Sequence, residues 1–146
     1  MTRIEARPIP QGADASFEWG SDLGEPIALL RAEPEQLAKT AGVSFSAGHD
    51  DLDYVKVAIV TVPSGAAYAL VRHERSPEQG TEIVARSHQP SAALGTDLDS
   101  LLKRLGVSPS AVTWVRPDVA RTRRGRRPFT RLAETLRSLL HPKTSR

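Results

Sequence analysis

The chain has 146 residues, no cysteine and a single methionine. Disulfides and thiolate metal sites are therefore excluded. The absence fits a reducing compartment, and a cytoplasmic location is the expectation. Aromatic residues make up only 5% of the chain, which leaves little for a base-stacking platform of exposed rings interleaved with arginine. No apolar run approaches the roughly 18–20 residues that span a bilayer. The opening stretch MTRIEARPIPQG has no apolar core of the kind a secretion signal needs. Gly42, Gly48, Gly65, Gly80, Gly95 and Gly106 stand apart from one another, so neither a phosphate-cradling loop nor a dinucleotide fingerprint is formed. Ser64 sits in a Pro-Ser-Gly turn rather than a G-x-S-x-G elbow.

What is present is enough for one packed domain: 39% apolar and 25% charged residues. The net charge of +3 conceals a division. Residues 116–146 carry ten basic side chains against Asp118 and Glu134, a net +8, whereas residues 1–115 are net −5. An acidic body with a basic tail points to an anionic partner. Sixteen of the twenty basic residues are arginine, a bias common in GC-rich bacterial genomes, which tempers any argument from arginine content alone.

Periodicity predicts an α+β chain. After an irregular segment 1–26, in which Phe17 and Trp19 are expected to anchor to the core, a core domain spans 27–116. IALLR (27–31) reads as a strand, and Pro34 opens a short helix that Gly42 closes. Two β-branched runs, 53–62 and 66–74, flank a Pro-Ser-Gly turn and predict a hairpin; TEIVAR (81–86) is a third strand. Thr96 with Asp99 resembles a capping box, and Leu98, Leu101, Leu102 and Leu105 form one stripe of a helix over 97–105, with Asp97 near its positive end and Gly106 as its stop. AVTWV (111–115) is a last strand, with Trp114 expected in the core. The expected architecture is a small antiparallel sheet of four to five strands covered by two short helices. A C-terminal amphipathic helix on an Arg-rich tether completes it. In that tail, 118–127 reads as an exposed linker, and Phe129, Leu132, Ala133, Leu136, Leu139 and Leu140 as one helical stripe.

Two clusters invite chemistry. His49, Asp50, Asp51 and Asp53 gather an imidazole and three carboxylates, a set suited to a cation. The twelve-residue spacing of a calcium loop is absent, and turn-forming aspartates account for the cluster better than a cation does. His73, Glu74, Glu82 and His88 add acid–base candidates. The predicted element order is similar to the core of metal-dependent nucleases of the PD-(D/E)xK type. That chemistry needs a lysine two residues after an acid, and Glu82-Ile83-Val84 supplies none. A weak metal-dependent hydrolase using His49, Asp51, Asp53, His73 and Glu82 is thus the third reading. No cofactor and no metal are expected.

The densest feature is RTRRGRRPF (121–129), with five arginines in seven positions. The leading reading is a non-enzymatic module that binds RNA, DNA or another polyanion through Arg121, Arg123, Arg124, Arg126, Arg127 and Arg131, whose planar forks suit phosphate. The alternative is a protein-interaction module, accessory or antitoxin-like, which docks a partner or a second copy through Phe129, Leu132, Leu136, Leu139 and Leu140. A solvated segment that folds back on the acidic body is the bland possibility.

Overall fold

The computed structural model describes residues 6–7, 24–49, 53–86 and 89–125. The elements in chain order are β1 (Ala6–Arg7), β2 (Glu25–Leu30), α1 (Pro34–Ala41), β3 (Ser46–His49), β4 (Tyr54–Thr61), β5 (Ala67–His73), β6 (Thr81–Ala85), α2 (Ser91–Leu105), β7 (Val112–Val115) and α3 (Pro117–Gly125). Every pairing is antiparallel. The order across the sheet is β1-β4-β5-β6-β2-β7. β3 also pairs with β4, along Tyr54–Val57, while β1 pairs at Ile59 and Val60, so the two share one edge of that strand. The sheet is thus wider than the four to five strands expected. The added elements, β1 and β3, are short pieces without an alternating apolar pattern.

The predicted hairpin is present, with seven residue pairs from Val55–His73 to Thr61–Ala67. Side chains alternate between the two faces of the sheet. On one face Ala58, Val60, Tyr68, Leu70, Ile83 and Leu30 join Leu37 of α1, the leucines of α2 and Val119 of α3 in the main core. All three helices therefore contribute to the same face. The other face carries a smaller apolar cluster of Val55, Val57, Ile59, Ala69 and Val71. Gly80 is required where the chain enters β6: its φ is +109°, and a Cβ there would lie 1.9 Å from the Leu30 carbonyl oxygen.

Three expectations are corrected. Helix α2 begins at Ser91, with Pro90 as its N-cap and no side-chain cap; the Thr96 hydroxyl instead donates back to the Ala92 carbonyl at 3.2 Å. Asp97 is consequently mid-helix and only 5% exposed, not a solvated group at a helix end. Trp114 is 44% exposed on the edge strand rather than packed in the core, because it is paired with Leu29, on the face away from the helices. Finally, residues 118–125 are helical and docked rather than an open linker. The stripe Phe129, Leu132, Leu136, Leu139 and Leu140, together with Phe17 and Trp19, lies outside the described residues.

Candidate functional site

Helix α3 is the described part of the arginine-rich segment. Pro117 occupies its first turn, where a missing amide costs nothing. One apolar side chain, Val119, is fully buried in the main core. Polar contacts do the rest. Arg116 grips Asp118 with two donors, Nε to Oδ1 at 2.7 Å and Nη2 to Oδ2 at 2.9 Å, and reaches Glu25 with Nη1 at 2.8 Å. The Ser91 hydroxyl, at the start of α2, donates to Asp118 at 2.5 Å. The hydrogen bond from Arg116, with that from Ser91 behind it, holds the Asp118 carboxyl well below the usual carboxylate range.

One turn further on, the Thr122 hydroxyl lies 3.1 Å from the Ser91 carbonyl and 2.8 Å from that of Val119, and donates to them. Arg123 binds Asp99 of α2, with Nε at 2.8 Å and Nη2 at 2.7 Å from Oδ1. Gly95 makes this approach possible: a Cβ on it would stand 2.6 Å from the Thr122 hydroxyl oxygen. The basic helix is therefore seated on α2 in a fixed orientation. Arg116 is turned to Asp118 and to Glu25 of β2, and Arg123 to Asp99 of α2, while Arg121 and Arg124, one turn apart, are exposed. Arg126, Arg127 and Arg131 lie outside the described residues.

Among the described residues the acid–base candidates do not assemble into a metal-holding group. Asp53 is buried and structural: it accepts from its neighbour Tyr54 N at 2.8 Å and from the Arg75 amide, which ties the β3–β4 and β5–β6 loops together. The His49 backbone is opposite Tyr54 on β3. His73 is opposite Val55, and Glu82 lies between Val71 and Leu29. Glu74 is exposed. Asp50, Asp51 and His88 lie outside the described residues. Among the described residues no three His, Asp or Glu side chains are grouped so as to hold a metal ion. A groove of about 190 Å³ between α1 and β4 contains Glu33, Glu35, Lys56 and Arg72. These are paired with one another, Lys56 with Glu35 and Arg72 with Glu33 at 3.3 Å.

Sequence reasoning missed the polar pair at the centre of the core. Tyr68, fully buried on β5, donates to Asp97 Oδ2 at 2.7 Å and has Gln89 Oε1 at 3.0 Å. Burial first, and the Asp97 carboxylate second, push the Tyr68 phenol far up, so it stays protonated. The signal was available: Asp97 sits three residues after Leu94 and beside Leu98, on the buried stripe of α2. This pair fixes α2 against the sheet.

No protein-family model, no curated protein and no solved structure matches the chain. Among the described residues no helix is long and apolar enough to cross a membrane.

Proposed function

We propose that the protein is a non-enzymatic module that binds nucleic acid or another polyanion through α3 and the arginines that follow it. The observation that supports this most is the seating of α3. Arg123 fixes the helix to Asp99 of α2, Arg116 holds its first turn through Asp118 and ties it to Glu25 of β2, and Arg121 and Arg124 are left exposed on the docked helix. Guanidinium groups held on a docked helix lose less freedom on meeting phosphate than the same groups on an open chain. Their contacts are grips on the backbone and carry no sequence code. Arg126, Arg127 and Arg131 extend the row in the sequence.

The test is fluorescence anisotropy with labelled RNA and DNA oligomers, starting at about 50 mM salt, where screening is weakest. With four to six phosphate contacts the slope of log K against log[salt] is expected at roughly −3 to −5. Similar affinity across unrelated sequences is expected. No association of any oligomer at low salt would remove the proposal.

A further inference from the structure

The second face of the sheet holds an apolar patch that none of the described helices covers. It consists of Val55, Val57, Ile59, Ala69 and Val71. Among the described residues, the further hydrophobics packed on it, Ala67 and Val84, belong to the same sheet. All three helices contribute to the opposite face. An antiparallel sheet that turned this face to water would carry polar side chains there. Instead the patch is apolar and only 2–8% exposed, whereas Trp114, on the same face at the far edge, is 44% exposed. Something therefore lies over β4 and β5.

The connectivity of the chain names the cover. Arg7, Ile59, Ala69, Val84 and Pro26 form one row across β1, β4, β5, β6 and β2. Residues 8–23, which join the two ends of that row, lie outside the described residues. β1 cannot run on along β4: its register would bring residue 9 to Val57, which Ser46 of β3 already faces. Pro8 also has no amide to give to the ladder. The chain must leave the sheet after Arg7 and re-enter it at β2, four strand spacings or about 19 Å away. Residues 8–23 reach roughly 50 Å when extended, so the span has slack to pack down. The helices fill one side of the sheet, and the open path between the ends of the row runs over the other.

We infer that residues 8–23 cross the second face of the sheet along this row and seat Phe17 and Trp19 on Val57, Ile59, Ala69 and Val71. The two rings are two residues apart, so an extended chain turns both to one side. Ile9 and Leu23, near the ends of the segment, add to its apolar content. A second copy, or the stripe at Leu132 and Leu136, is the weaker candidate, because neither is tied to this row at both ends. The crossing makes the patch part of the folded core and leaves Leu29 and Trp114 as the open part of the face.

The test uses the full chain with Trp114→Phe, which leaves Trp19 as the sole tryptophan. Its emission should be blue-shifted from that of free tryptophan and shielded from acrylamide. In methyl-labelled protein, nuclear Overhauser contacts from the Trp19 indole and the Phe17 ring should reach the methyls of Val57, Ile59 and Val71. These contacts are read in the parent chain as well, and so decide the matter even where a variant fails to fold. Phe17→Ala with Trp19→Ala should shift those methyls and leave the methyls of Leu98 and Leu101, on the opposite face, in place. The inference is overturned if Trp19 emits as a solvent-exposed indole, or if its contacts run to Leu37, Leu70 or Leu98. It is also overturned if the contacts on Val57 and Val71 come from Leu132 or Leu136, or from a second copy in a mixed-label sample.

Discussion

Helices α2 and α3 lie side by side, yet different forces hold them. Helix α2 buries Leu94, Leu98, Leu101, Leu102 and Leu105, each at most 4% exposed. Helix α3 buries only Val119 and is otherwise clipped by Asp118, Thr122 and Arg123. Apolar burial is indifferent to salt and pH over ordinary ranges, whereas partly exposed ion pairs are screened and titrate. The difference teaches that the basic helix is the more easily displaced of the two, and that its seating and any polyanion it binds draw on the same arginine-rich stretch.

The largest effect tests the α2 side. Leu98→Ala removes a fully buried side chain and should cost roughly 2–5 kcal/mol in urea melts, from lost transfer energy and the cavity left behind. Tyr68→Phe leaves the Asp97 carboxylate without its buried donor and should cost about 1–3 kcal/mol. Both variants should lower the α2 and sheet amide protection together. A loss confined to α3 would break the comparison.

Gly95→Ala sharpens it, because two effects oppose each other there. In an open helix the change gains roughly 0.5–1 kcal/mol. Here the new Cβ meets Thr122 Oγ1 at 2.6 Å, so the variant should be less stable than the parent, with α3 amides losing protection first. In a Thr122→Ala background the same change should turn neutral or favourable. Equal effects in the two backgrounds, measured by melting, would mean that Gly95 does not govern the approach.

The smallest effect is a pH dependence. The Asp118 carboxyl is held below its ordinary range in the folded chain by Arg116 and Ser91. The unfolded chain therefore takes up the proton first as pH falls. The stability that Asp118 contributes is complete above roughly pH 4, the ordinary range of an aspartate, and is lost as pH falls from there through the folded-state value. Asp118→Asn should remove that part of the acid limb while leaving the neutral-pH melt lowered and flat. An acid limb identical to the parent's would show that the clip contributes nothing.

The α2 leucines were legible because four of them repeat at helical spacing, and Gly106 marked the stop with a φ of 64°. The start of α2 was not, since Gly95 and the Thr96–Asp99 pair imitate a boundary, while Leu94, four residues before Leu98, signals that the stripe continues. Helix α3 had no apolar period to read. Its placement rests on partners distant in sequence: Glu25, Ser91 and Asp99. Nothing local distinguishes Arg123, bound to Asp99, from Arg124, which is exposed. The exposure of Trp114 was hidden for the same reason. A strand's alternation shows two faces but not which one the helices will cover.

The central claim is that Arg116 and the arginines of α3 divide by role. It is tested most directly by paired variants in one salt titration: Arg121→Ala/Arg124→Ala against Arg116→Ala/Arg123→Ala, with anisotropy on a labelled RNA oligomer and a thermal melt of each protein. The outer pair should flatten the slope of log K against log[salt] by roughly 1.5–2 units, about one per lost phosphate contact, at the parental melting temperature. The inner pair should lower the melting temperature. If the outer pair leaves both affinity and slope unchanged, the division by role is contradicted, and α3 is a structural helix that happens to be basic.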